Sequence, residues 1–151
     1  MKQYSFYNVD LLIDGLQVTG FPDGQDLIVA QRNSAQHAQI IDARGEQAVV
    51  TSADMSGTIS FSLLQTSDDH LWLSGIATAY QQLGTSGDNA TFVPLQVLLN
   101  DKMGTTLVTG INATIIMQPA VSRGTGLATA TYVLQCGKLT FVRGQYVNTG
   151  I

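Results

Sequence analysis

Between Thr58 and Gln65 the side chains alternate: Ile59, Phe61 and Leu63 fall on one side, Ser60 and Ser62 on the other. Successive side chains of a strand point to opposite faces, so this period of two marks a half-buried β-strand and fits no helix. The pattern recurs from Leu127 to Gln135, where Ala128, Ala130, Tyr132 and Leu134 alternate with Thr129, Thr131 and Val133. A chain built this way must pair its strands and bury one face of the resulting sheet.

Turn chemistry places the remaining strands. Tyr4 to Ile13 reads as a strand stopped by Asp14-Gly15, with Leu16 to Val18 as its return. Gly20 to Gly24 is a loop and Leu27 to Gln31 a short strand. Gln36–Ala43 and Gln47–Ser52 read as a hairpin around Arg44-Gly45-Glu46. Phe92 to Leu99 and Thr105 to Met117 are further strands, the second kinked at Gly110. After the loop Pro119 to Gly126 and the strand Leu127 to Gln135, Cys136-Gly137-Lys138 reads as a turn and Leu139 to Val142 as the return.

One segment changes period. Leu73, Ile76, Ala77, Tyr80 and Leu83 recur at helical spacing, which predicts an amphipathic helix from about Asp68 to Leu83. Ser67 is its cap, Asp68 and Asp69 lie at the positive end of its dipole, and Gly84 is its stop. The expected fold is mainly β with one helix, as a single domain over residues 1–151.

Hydrophobic residues make up 44% of the 151, enough for a real core, while charged residues make up only 12%. That is about half of the roughly 25% usual in soluble proteins, so a free monomer would be poorly solubilised. Burial of much of the surface against copies of itself is one way out. The net charge is -4, and Lys2, Arg32, Arg44, Lys102, Arg123, Lys138 and Arg143 are dispersed along the sequence. No basic run exists to displace counterions from a nucleic acid, so a DNA-gripping role is not expected. A lone cysteine, Cys136, rules out an intrachain disulfide. Asp10 and Asp14 interrupt the first apolar residues, so no signal peptide is expected there, and no apolar run approaches the ~18 residues of a membrane span. Assembly in the cytoplasm is the expectation.

Catalytic patterns are weak. His37 and His70 have no Cys, His or carboxylate at ligand spacing, and His70 reads as a surface residue of the helix. Gly84-Thr85-Ser86-Gly87 fails as a nucleophile elbow because Asp88 stands where the last glycine belongs. Cys136 reads as a core or strand-end thiol, and Asn89-Ala90-Thr91 and Asn112-Ala113-Thr114 as chance glycosylation matches. Trp72 and Tyr80 read as packing residues. Neither an enzyme nor a cofactor or metal site is expected.

The most specific stretch runs from Asp54 to Leu71: Asp-Met-Ser-Gly-Thr-Ile-Ser-Phe-Ser-Leu-Leu-Gln-Thr-Ser-Asp-Asp-His-Leu. It resembles the strand-to-helix signature of phage tail-tube proteins, closest to those of contractile tails. Tyr4-Ser5-Phe6, Asn8-Val9-Asp10 and Asp14-Gly15 resemble that family's first hairpin, and Ala128 to Tyr132 its Ala-Thr-Ala-Thr-Tyr run. Asp68 and Asp69 replace the Asn or Pro frequent at the helix start, which keeps the capping chemistry.

The resemblance implies two packed antiparallel sheets, a β-sandwich or barrel flanked by a helix, whose inner barrel is completed across subunits. It implies a virion structural protein of the tail, assembled in the host cytoplasm: hexameric rings, stacked, with a hollow lumen that conducts DNA during ejection without binding it specifically. The implied partners are further copies of the chain, the tail sheath protein, baseplate and tail terminator proteins, and a tape-measure protein in the lumen. Closing a barrel across subunits removes open edges, which this chain has few charges to blunt.

Gln39, Asp42, Glu46, Thr129 and Thr131 are the candidate lumen-lining or rim residues, and Arg44 at the hairpin tip the candidate inter-ring contact. An ordinary solvated sheet face would carry the same Thr pattern, and an exposed turn the same arginine. Alternatives are a tube initiator, a terminator or a secretion-type tube of the same fold, or a monomeric β-sandwich binding module. The module is disfavoured because the aromatics look dispersed. Arg44→Glu is expected to weaken stacking and leave the fold intact; unchanged tube lengths by electron microscopy would count against the contact.

Overall fold

In the computed structural model, which describes residues 1–83 and 93–146, the alternation at Thr58–Gln65 becomes strand β6 (Gly57–Leu64). Its residues alternate between buried and half-buried along the whole length. Before it come a short 3-10 turn (Phe6–Asn8) and β1 (Val9–Ile13), β2 (Leu16–Gln17), β3 (Ile28–Arg32), β4 (His37–Ile41) and β5 (Gln47–Thr51). After it come helix α1 (His70–Leu83), β7 (Leu95–Asp101), β8 (Thr106–Met117) and β9 (Thr129–Val142).

Two antiparallel sheets result, of unequal size. Seven strands form the larger in the order β2-β1-β7-β8-β9-β6-β3, and β4-β5 form the smaller. The buried side chains of β1, β6, β7, β8, β9 and α1 form a single cluster that includes Leu11, Ile13, Phe61, Leu73, Val97, Ile115, Tyr132 and Leu134. The large sheet therefore wraps its apolar face around one core, and α1 lies against it through Leu73, Ala77, Trp72, Ile76 and Tyr80.

Three local expectations change. The N-terminal strand begins only at Val9, because the Ser5 hydroxyl accepts from the Tyr7 N–H and caps a 3-10 turn. The expected turn at Cys136-Gly137-Lys138 does not form. β9 runs straight through it, paired to β8 on one side and β6 on the other. Gly137 and Lys138 are both exposed between buried Cys136 and Leu139, so the alternation slips and imitates a turn. Finally, β8 is irregular at Asn112 rather than at Gly110. Asn112 has φ 55°, and the β7 pairing slips there, with Leu95 opposite Ala113 and Val97 opposite Gly110. This is a β-bulge, which bends a strand and raises its twist.

His70 also departs from expectation. It is half-buried: Nε2 lies 2.7 Å from the Leu64 carbonyl and Nδ1 2.9 Å from the Tyr132 hydroxyl. The carbonyl can only accept, so Nε2 carries the proton and, in the neutral ring, Nδ1 accepts from the tyrosine. Asp69, read as a dipole complement, does more. Its carboxylate accepts from Thr19 N–H at 2.6 Å and from Trp72 Nε1 at 2.8 Å, tying the helix start to the segment after β2. Ser67 sits 2.6 Å from where a Cβ on Gly20 would be, and Gly20 has φ 87°, so only glycine fits. The helix stop at Gly84, the side chain of Leu83, the loop from Thr85 to Asn89, the start of the strand at Phe92 and the glycosylation match at Asn89 lie outside the described residues, as does the chain beyond Tyr146.

Gly110 is buried in β8, and a Cβ there would fall 2.7 Å from Cys136 Sγ. Gly110→Ala is expected to cost about 1–3 kcal/mol by overpacking. Adding Cys136→Ala should recover part of that loss, as read by denaturant midpoints; additive losses would refute the contact.

Candidate assembly surface

The β4-β5 ribbon is the feature of this chain least explained by its own fold. All ten residues of its two strands are exposed. The register pairs Ala38 with Val50 and Ile40 with Ala48. Directly paired residues share a face, so one face of the ribbon is wholly aliphatic: Ala38, Ile40, Ala48 and Val50. The other face mixes His37, Gln39, Ile41, Gln47, Val49 and Thr51. Ile40 is 56% exposed and Val50 52%, so this aliphatic face has no cover among the described residues.

The ribbon's tip and root are ordered by polar groups. At the tip, the Asp42 carboxylate accepts from the N–H groups of Arg44 at 2.9 Å and Glu46 at 2.8 Å, while Gly45 turns at φ 85°. At the root, Asp54 accepts from the Ser34 hydroxyl at 2.6 Å and from Ser56 N–H at 2.9 Å, and Asn33 reaches Ser56 Oγ at 3.0 Å. The Ser34 and Ser56 hydrogen bonds hold the Asp54 carboxyl down at about 2.

Of the expected lining residues, Gln39 lies on the mixed face of the ribbon, Asp42 is engaged by the tip's own backbone and Glu46 is exposed beside it, as is Arg44, the expected inter-ring contact. Thr129 and Thr131 lie together elsewhere, on the outer face of β9. Thr131 Oγ1 is 2.9 Å from Ser62 Oγ, its cross-strand partner on β6. That outer face continues through Thr58 and Ser60 on β6, Val133, Gln135, Thr140 and Val142 on β9, and Leu107, Thr109, Ile111 and Thr114 on β8, with Lys138 its single charge across these three strands.

The aromatics are not dispersed, as the sequence suggested. Tyr4, Phe6 and Tyr146 line a cleft of about 640 Å³ beside Leu99 and Asp101. They pack edge-on in pairs, Tyr4 with Tyr146 at 6.2 Å and Phe6 with Phe21 at 5.3 Å. The aliphatic ribbon face escaped the sequence reading because a one-residue change of register would exchange the two faces, and register is not written in the hairpin's composition.

Compared by sequence, the chain matches no protein-family model and no curated protein. Solved structures are informative. The chain is similar to the sheath/tube terminator of an extracellular contractile injection system, PVC, with a TM-score of 0.57 and 10% identity over 94% of this chain and 98% of that one. It is similar to the tube-terminating cap of the anti-feeding prophage, with a TM-score of 0.54 and 14% identity over 95% and 93%. It is also similar to a chain of the PVC sheath-tube complex, with a TM-score of 0.54 and 12% identity over 96% and 93%.

The depressed Asp54 carboxyl stabilises the ribbon's root above its ordinary 3.8, and that contribution is lost as pH falls through about 2. Amide exchange at residues 34–37 and 52–56 is therefore expected to accelerate between those limits, and Asp54→Ala should show the fast rates at neutral pH. Rates unchanged by the substitution would refute the clasp. Over 94–96% of its length, the chain has the fold of contractile-injection-system terminator proteins and of a sheath-tube-complex chain, the kind of fold its resemblance to phage tail tubes implied.

Proposed function

We propose that this chain is a structural subunit of the tail tube of a phage or a related contractile injection apparatus, and not an enzyme. Copies assemble into hexameric rings that stack, and the hollow lumen conducts DNA in the virion tail. The observation that carries this reading is the exposed aliphatic face of the β4-β5 ribbon. A two-stranded ribbon is at best marginally stable alone in water, and this one presents Ile40 and Val50 to solvent on a chain with only 12% charged residues. A second copy is the natural cover, and a head-to-tail contact of this kind propagates instead of closing.

The likeness to terminator chains and to a chain of a sheath-tube complex over nearly the whole length supports the same reading. The outer face of β6, β8 and β9 suits a lumen wall: hydroxyls, amides and aliphatic side chains such as Leu107 and Val142, with one lysine, offer phosphates little to hold. Sheath, baseplate, terminator and tape-measure proteins are the partners this role entails, with assembly in the host cytoplasm. A second reading, a terminator that stops at one ring, is favoured by the likeness to a terminator and a terminating cap.

Negative-stain electron microscopy over a concentration series is expected to show hollow filaments for a tube subunit and single rings for a terminator. Ile40→Thr with Val50→Thr keeps β-propensity and removes apolar cover worth about 1.5–3 kcal/mol per side chain when buried. The double variant should stay folded and fail to assemble at concentrations where the wild type does. Uniform small particles from the wild type at every concentration, even with purified baseplate added, would sink the proposal.

A further inference from the structure

Arg32 closes β3, one of the two edge strands of the large sheet. Its guanidinium donates to the Leu139 carbonyl at 3.0 Å and lies 5.6 Å from the centroid of the Phe141 ring. Arg143 lies 5.7 Å from the same centroid. The two cations thus share one aromatic ring and, with Gln36, line an open cleft of about 430 Å³ at the foot of the ribbon. Among the described residues the single salt bridge joins Lys102 to Asp10, so neither arginine has a carboxylate partner. Arg32 Nε is moreover buried with no hydrogen-bond acceptor. Two like charges gathered on an acidic chain, with no carboxylate beside them among the described residues, call for an anion with more than one negative oxygen.

The chain offers a match. Asp23 and Asp26 stand three residues apart in the exposed loop before β3, and among the described residues no ion pair or hydrogen bond engages either carboxylate. We propose that the Arg32–Phe141–Arg143 cleft is a carboxylate-binding site and that its occupant is the Asp23–Asp26 loop of a second copy. This rests on the reading that copies of the chain assemble. Two carboxylates meet two guanidiniums, and the acidic lead-in to β3 of one copy meets the basic end of β3 in the next. Such a contact is heterologous and orders neighbours in one direction. The aromatic ring holds both forks in place, which lowers the entropy lost on binding and favours a bidentate grip.

Arg143 is exposed and makes no other polar contact among the described residues, so its reversal leaves the fold alone, unlike Arg32 with its carbonyl bond. Arg143→Glu and Asp26→Arg are each expected to raise the protein concentration needed for half-assembly about tenfold or more in sedimentation velocity. The two changes combined in one chain should restore assembly toward the wild-type value. If either single reversal assembles like the wild type, or if the double variant is no better than the singles, the proposal is overturned. If Glu46→Arg rescues Arg143→Glu in place of Asp26→Arg, the occupant is the ribbon tip and the proposal is likewise overturned. In these outcomes the wild type still assembles, so the tube reading stands. A wild type that never assembles defeats both.

Discussion

The structure depends on one strand. β9 spans Thr129–Val142 and pairs with β6 over Thr129–Cys136 and with β8 over Val133–Val142. Its inward face carries Tyr132, Leu134, Cys136 and Leu139, each at most 1% exposed. Tyr132 stacks on Phe61 at 5.5 Å and meets the His70 ring, so the same strand that zips the sheet also anchors the start of the helix. Desolvation raises the Cys136 thiol to about 11, so at this depth it is a small apolar filler and not a nucleophile. Gly110 opposite it supplies the room. Non-local pairings of this kind buy stability only once the chain has closed long loops, and β3, β6 and β9 together require just that.

Much of this was legible in the sequence, and the misses share a physical cause. β6 was readable to within a residue because both of its neighbours leave the alternation undisturbed. The helix was readable because Leu73, Ile76, Ala77 and Tyr80 keep one stripe against the core. The turn wrongly expected at Cys136-Gly137-Lys138 arose because local pattern cannot tell a slip within a strand from a reversal. What decides is the partner: Ala113 and Ile111 of β8 hold Cys136 and Lys138 in continuous register. His70 was misplaced for a similar reason. Its two partners, Leu64 and Tyr132, come from different strands, and only the closed fold brings them to one ring.

The candidate surface was legible in outline and not in detail. The hairpin and its Asp42–Glu46 tip follow from Arg44-Gly45-Glu46, yet the sorting of Ile40 and Val50 onto one face and Gln39 onto the other required the register. Thr129 and Thr131 were found through their alternation, and their neighbours Ser62 and Ser60 through that of β6, but the union of these into one nearly uncharged face is a property of the sheet order.

These features point the same way. A core that satisfies its own polar groups needs no partner, and no buried polar or charged residue stands out in this one among the described residues. The unmet demands all lie outside it: an aliphatic ribbon face, an open β3 edge, and two arginines on one ring without a carboxylate. Each is costly in an isolated chain, through exposed apolar area, unpaired backbone groups and an unmatched charge respectively. They meet in space, since Arg32 ends β3, Gln36 leads into β4, and both line one cleft with Phe141 and Arg143. A partner that docks along β3 and the ribbon would relieve all three at once, whereas a small ligand in the cleft would relieve only the arginines.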